Sequence, residues 1–229
     1  MIRVRNLSKR FDSLIVLDDV SFDVEEAKLV VILGPSGTGK TVLLKSILGL
    51  IPVDSGEVYF DERVVQSAGK KELYEIRKEI GFVFQGTALF DSMNIMDNIA
   101  LPLLEHTRMS ASEIKKKVMD IMEIIGLPGK EGLFPPSLSG GMKRLVAVGR
   151  ALALDPKYIF YDEPTTGLDP VMRERVVELI INLKSKYSKS GIVVTHDLDT
   201  ARAVGDDIYM LKKGKINKLK EIGKDIYNG

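Results

Sequence analysis

Lys28-Leu-Val-Val-Ile-Leu-Gly34-Pro35-Ser36-Gly37-Thr38-Gly39-Lys40-Thr41 decides the fold. The run Lys28–Leu33 is apolar after its first residue, the pattern of a strand covered on both faces in a parallel sheet. Beyond the glycines, Thr41–Leu50 resumes with helical spacing, so the order is strand, glycine loop, helix. Gly34–Thr41 fits GxxxxGK[ST], a phosphate-binding loop. Its glycines let successive backbone N–H groups turn inward, and the following helix N-terminus adds a favourable dipole for anions. Lys40 is expected to pair with the β and γ phosphates of a nucleotide, and the Thr41 hydroxyl to ligate Mg²⁺.

Outward from this loop, Ile2–Leu7, Val20–Val24 and Val58–Phe60 alternate apolar with polar residues, as half-exposed antiparallel strands do. Ile80–Gln85, Tyr158–Tyr161 and Gly191–Thr195 read as buried strands separated by helical patterns, which predicts a largely parallel sheet flanked by helices. From Thr87 to Leu138 the pattern is helical. Ser110 and Glu113 form a capping box, Ile114, Val118, Ile121, Met122 and Ile125 share one face, and Gly126 and Pro128 end that helix. Another helix starts at Asp169-Pro170 and buries Val176, Val177, Ile180 and Leu183. The fold class is α/β, with an antiparallel β layer and a helical subdomain inserted into the core.

Composition removes several alternatives. The 229 residues carry 33 Lys and Arg against 32 Asp and Glu, so no bulk charge points to nucleic acid or an anionic membrane. Without cysteine there is no disulfide framework, thiolate metal site or thiol nucleophile, and His106 and His196 alone cannot build a zinc site. No stretch approaches the ~18 apolar residues of a membrane span, and Met1–Ser8 lacks a leader pattern, so the expectation is a soluble, cytosolic chain. No separate regulatory domain is expected after Leu211–Ile216. His106 reads as a surface or helix-terminal residue, and Lys115-Lys116-Lys117 as the solvated face of the Ser110–Ile125 helix.

Tyr158-Ile-Phe-Tyr161 runs into Asp162-Glu163, a carboxylate pair at the carboxyl end of a strand expected beside the phosphate-loop strand. Asp162 is expected to hold Mg²⁺ and Glu163 to polarise the attacking water as general base. Leu138-Ser139-Gly140-Gly141-Met142 resembles the signature motif of ATP-binding cassette (ABC) ATPases, usually LSGGQ. With Gly34–Thr41, Gln85, Asp162-Glu163, Gly167-Leu168-Asp169-Pro170 and His196, it places six motifs in that family's order, and the resemblance covers essentially the whole chain.

The resemblance implies a P-loop NTPase (RecA-like) core with its β subdomain over residues 1–86 and 140–229, and an α-helical subdomain over 87–139. It implies ATP and Mg²⁺, with Gly34, Pro35, Ser36, Gly37, Thr38, Gly39, Lys40 and Thr41 on the phosphates and Phe11 on the adenine. Phe11 reads otherwise as a core residue. Metal contacts fall to Thr41, Gln85 and Asp162; catalysis falls to Glu163, His196 and Gln85. A second copy packs head to tail, so that Ser139, Gly140 and Gly141 of one chain face the γ phosphate held by the other, with Asp169 at the interface.

Met142 stands where glutamine is usual. Together with Gly86–Thr107 it resembles the ATPases of MCE-domain, Mla-type phospholipid transporters. That implies a transmembrane permease subunit, an MCE-domain substrate-binding protein, no nucleic acid, and a cytoplasmic place on the inner face of the membrane through the permease. Leu89, Phe90, Met93, Ile95 and Met96 fall where the family receives the permease, and read equally as helical core. The alternatives are another importer, a cell-division ABC complex, or a soluble non-transport ABC ATPase. Gln85 and Ser139 are only 54 positions apart, which leaves no room for the coiled-coil insertion of chromosome-maintenance members.

Overall fold

The computed structural model describes residues 1–220. Strands β1 (Ile2–Phe11) and β2 (Leu14–Val24) form a hairpin, and β3 (Leu29–Leu33) leads through the glycine loop into helix α1 (Lys40–Ile47). Strands β4 (Ser55–Phe60) and β5 (Arg63–Val64), helix α2 (Lys70–Lys78) and strand β6 (Ile80–Val83) follow. Helices α3 (Ile95–His106), α4 (Ala111–Ile124) and α5 (Gly140–Leu152) precede β7 (Tyr158–Asp162) and α6 (Pro170–Tyr187). Strand β8 (Ser190–Thr195), helix α7 (Leu198–Val204) and the β9 (Asp207–Lys212), β10 (Lys215–Lys218) hairpin close the described chain.

One sheet is antiparallel in the order β2-β1-β4-β5; the other runs β10-β9-β3-β8-β7-β6, parallel except for β10. Every residue of β3, β7 and β8 is buried, because successive side chains enter two different cores. Leu29, Val31, Leu33, Ile159, Tyr161 and Val193 join the core under α3–α7. Val30, Ile32, Tyr158, Phe160, Ile192 and Val194 join the core shared with α1 and the antiparallel sheet. This two-sided burial is what an uninterrupted apolar run encodes.

The same alternation places the carboxylates. Asp162 has the parity of Tyr158 and Phe160, so its side chain emerges on the face covered by α1 and meets Thr41. One expectation needs correction: β7 is not beside the phosphate-loop strand, since β8 lies between β3 and β7. Local pattern marks each strand as buried but carries no information on the order of parallel neighbours.

Residues 87–139 hold α3, α4 and a short 3₁₀ turn at Pro135–Ser137. The capping box of α4 forms between Ser110 and Glu113, and its four apolar positions Ile114, Val118, Ile121 and Met122 are buried. Gly126, with φ 67°, takes the left-handed conformation that ends this helix. Helix α5 packs on α3 and α4 and also on β6 and α6, so it belongs to both layers. Lys115 and Lys116 are exposed and Lys117 is half-buried. The final stretch of the expected core, 221–229, lies outside the described residues.

Candidate active site

The loop after β3 is shaped by close approaches. Gly39 has φ 99°, and a Cβ there would collide with Val16 of β2, so only glycine fits between the hairpin and α1. Lys40 follows at the start of α1 and is buried, with 6% exposure. Its Nζ donates to the carbonyls of Gly34 (2.7 Å) and Pro35 (3.0 Å) and pairs with Glu163 Oε1 at 3.1 Å. The ammonium is therefore satisfied by its own loop and the carboxylate across from it.

Glu163 sits one residue past β7 with φ 50°, a conformation that costs a non-glycine residue about 1–2 kcal/mol. That turn takes its side chain away from Asp162 and toward β8. Its Oε2 accepts from Thr166 (2.9 Å) and Thr195 (3.3 Å) and faces His196 Nδ1 at 2.9 Å. Burial pushes the Glu163 carboxyl up, but the Lys40 and Thr166 hydrogen bonds and the Lys40 and His196 charges outweigh it and hold the group below its ordinary value of 4.5. Glu163 is thus anionic at neutral pH. Its contribution to stability is complete above 4.5 and is lost as pH falls through its lower, folded-state value.

Asp162 goes the other way. Burial pushes its carboxyl above 3.8, the Thr41 hydrogen bond opposes this, and the neighbouring Glu163 charge adds to the rise. Both carboxylate oxygens accept from the Thr41 hydroxyl, at 2.9 and 3.1 Å. A group that holds its proton more tightly in the folded state makes stability fall as pH rises past its unfolded value. Asp162→Asn is therefore expected to raise the melting temperature of the nucleotide-free chain by a few degrees at pH 7. The gain should vanish below pH 3.8, while Mg²⁺-dependent nucleotide binding is lost; calorimetry across pH with and without Mg²⁺ and nucleotide checks both. A melting temperature at pH 7 no higher than wild type would remove the penalty assigned to this carboxylate.

A cavity of about 370 Å³ joins Phe11, Ser36, Gly37, Gly39, Lys40, Thr41, Gln85, Glu163 and His196. Gln85 arrives from the loop after β6 and His196 from the end of β8. Phe11 is 44% exposed at the end of β1 rather than a core residue, with Lys9 Nζ 5.1 Å from its ring centroid. Gly34 is buried at the loop's base, Pro35 and Thr38 are linked by a 2.9 Å hydrogen bond, and none of the three lines the cavity.

Ser139, Gly140 and Gly141 are not on that cavity. Ser139 Oγ accepts from the Met142 N–H at 3.2 Å and caps α5, while Ser139 and Gly140 are exposed. The two glycines do different work. A Cβ on Gly140 would meet open space, whereas one on Gly141 would lie 2.7 Å from Met172 Cγ and 2.9 Å from its Cβ. Met172 belongs to the first turn of α6, whose N-cap Asp169 accepts from the Met172 N–H at 3.0 Å. Gly141→Ala is expected to cost about 1–3 kcal/mol by forcing α5 and α6 apart, and Gly140→Ala much less. Urea midpoints compare them; equal losses would show that the Met172 contact does not decide the matter.

Sequence reasoning missed several residues. Thr166 and Thr195 orient Glu163, and fully buried Asn98 bonds the backbone of Phe90, Met93 and Asn94. A signal existed for Asn98: a polar residue between the apolar positions Ile95 and Ile99. Of the residues expected at a permease groove, Phe90 alone lines a second cavity of about 560 Å³ between β6 and α3, and Ile95 is fully buried core. His106 is helix-terminal and pairs with the Tyr74 hydroxyl at 2.8 Å beside that groove.

Fold and cavity together define a P-loop nucleotide-binding protein. The chain belongs to the ABC transporter family, as one of its ATP-binding cassettes: the family model described as ABC transporter matches residues 17–166. It is 43% identical over 210 residues to the "Probable ribonucleotide transport ATP-binding protein mkl" of Mycobacterium leprae, covering 92% of this chain and 60% of that protein. The intermembrane phospholipid transport system ATP-binding protein MlaF of Haemophilus influenzae is 38% identical over 216 residues, 94% of this chain and 82% of MlaF. The dimeric post-hydrolysis structure of the ATP-binding cassette MJ0796 with ADP and Pi superposes with a TM-score of 0.86 at 34% identity, over 97% of this chain and all of that one. The chain spans about three-fifths of the length of mkl.

Proposed function

We propose that this chain is the ATP-hydrolysing subunit that powers phospholipid transport of the MCE/Mla type, working as a head-to-tail pair with a second copy of itself. The observation that carries the proposal is a division within one chain. Lys40, Thr41, Gln85, Glu163 and His196 line one cavity, while the capped, exposed end of α5 at Ser139-Gly140 lies outside its lining and offers a helix N-terminus to an anion. A second copy supplies that end, and ATP bridges the two.

Arrival of the γ phosphate offers Lys40 phosphate oxygens in place of Glu163 and the loop carbonyls. Glu163 Oε1, released from Lys40, then accepts a hydrogen bond from the attacking water and takes its proton as the oxygen–phosphorus bond forms and ADP leaves. Thr166 and Thr195 keep Oε2 engaged, so only one carboxylate oxygen turns to the water. His196, whose Nδ1 meets Glu163 Oε2, offers its other ring nitrogen to a γ-phosphate oxygen. Phe11 offers a ring to adenine.

The Thr41 hydroxyl and Asp162 carboxylate, with the Gln85 amide oxygen, are the hard oxygen donors that Mg²⁺ takes. Among the described residues no group of three or more His, Cys, Asp or Glu side chains is placed to hold a metal ion. Bound there, Mg²⁺ would neutralise charge on the β and γ phosphates.

MlaF's name supports phospholipid as cargo, and the mkl name supports a second reading, ribonucleotide transport. No helix among the described residues is long and apolar enough to cross a membrane. In this reading the pathway belongs to a permease, which holds this chain at the cytoplasmic face. Affinity purification of the native complex with protein and lipid mass spectrometry tests this. A multispan permease, an MCE-domain protein and phospholipid are expected; ribonucleotide, DNA, ribosomes or division proteins instead would overturn the role.

A further inference from the structure

We propose that Arg144 and Arg150 are positioning residues for Gln85: two guanidiniums on the helix capped by Ser139 grip the main chain on both sides of Gln85 and make its loop move with that helix. This rests on the ATPase reading above. Arg144 Nη1 donates to the Phe84 carbonyl at 2.7 Å, immediately before Gln85. Arg150, six residues farther along α5, donates from Nη2 to Thr87 O at 2.9 Å and from Nη1 to Ala88 O at 2.6 Å, just after it.

The arrangement is unusual for charged groups. Arg144 is only 4% exposed, Arg150 is half-buried, and no carboxylate among the described residues is in ion-pair range of either. The hydrogen bonds of both guanidiniums go to neutral carbonyls, the Asp162 and Glu163 charges act on Arg144 only from beyond ion-pair distance, and Arg144 Nε has no partner. Desolvation without a directly paired carboxylate is costly, and a surface loop does not need it merely to stay attached. The loop itself is strained: Thr87 and Ala88 are consecutive non-glycine residues with φ 59° and 50°. Such conformations persist where surroundings over-determine them, and the two Arg150 hydrogen bonds land on these two residues. The Phe84 carbonyl accepts from the Thr87 N–H at 3.0 Å as well as from Arg144, so the turn around Gln85 is closed and clamped at one oxygen.

The clamp unites two parts of the chemistry. Gln85 lines the nucleotide cavity, while α5 carries at its N-terminus the group offered to the second copy's nucleotide. The groove of about 560 Å³ is lined by Phe84, Ala88, Phe90 and Arg150, so a partner seated there presses on the clamp itself. A lysine cannot replace the fork, because its ammonium is a point charge without two parallel donors.

The test uses the full chain, as wild type, Arg150→Lys and Arg144→Lys. Amide exchange in peptides spanning residues 85–90 is expected to quicken by about tenfold or more in each variant, with α1 and β7 unchanged. In ATP hydrolysis Arg150→Lys should lower kcat by about fivefold or more with KM for ATP within about twofold of wild type. In a Gln85→Ala background the same substitution should change kcat by less than about twofold, since its effect runs through Gln85. Wild-type exchange in the loop, or losses that multiply in the double variant, would overturn the clamp. A wild-type chain that releases no phosphate would instead overturn the ATPase reading, and the exchange result would still decide the clamp.

Discussion

Replacing Glu163 with Gln is expected to leave ATP bound and to lower its hydrolysis by about 10²–10⁴-fold, the range for loss of a general base. The amide keeps an oxygen for the Thr166 and Thr195 hydroxyls, so the side chain has reason to stay in place. It loses the charge that pairs with Lys40 and the basicity that takes a proton from water. Lys40 without its carboxylate partner is freer to meet a phosphate, so affinity for ATP should hold or improve. With the bridging γ phosphate never cleaved, a two-ATP dimer should accumulate and elute early in size-exclusion chromatography with ATP and Mg²⁺. Turnover at the wild-type rate would remove Glu163 from the base role.

Ser139→Arg should also abolish hydrolysis, by a different route. The substitution removes the N-cap of α5, worth about 0.5–2 kcal/mol, and places a long side chain beside Gly140 where a phosphate oxygen must approach. Because Ser139 does not line the cavity of its own chain, nucleotide affinity of the monomer should match wild type. Ser139→Ala, which loses the cap without adding bulk, separates the two effects and should retain part of the activity. Binding that falls in parallel with hydrolysis would mean that Ser139 serves its own chain's nucleotide.

Much of this site was legible because its residues act close to where they stand in sequence. The phosphate loop is contiguous, Asp162 ends and Glu163 follows a strand whose burial is written in its apolar run, and the α4 capping box spans four residues. Helix α2 was not legible, since only Ile76 among its nine residues is buried and the apolar face it shares with Leu73 is too small to stand out. Strand β9 was obscured in the same way, with only Leu211 buried. The place of β8 between β3 and β7 is a property of tertiary packing, which local pattern does not encode. Arg144, Arg150 and the Lys40–Glu163 pair escaped for a related reason: each bond joins residues sixty or more positions apart.

The two chemistries are separable by mixing. Lys40→Ala is expected to disable phosphate binding and leave Ser139 intact, and Ser139→Arg to do the reverse. Neither variant alone should release phosphate, but a mixed pair contains one complete site, with the phosphate loop from one chain and the capped helix from the other. Phosphate release from the mixture, well above the sum of the separate variants, is the expected result. A mixture no more active than that sum would contradict a site shared between two copies.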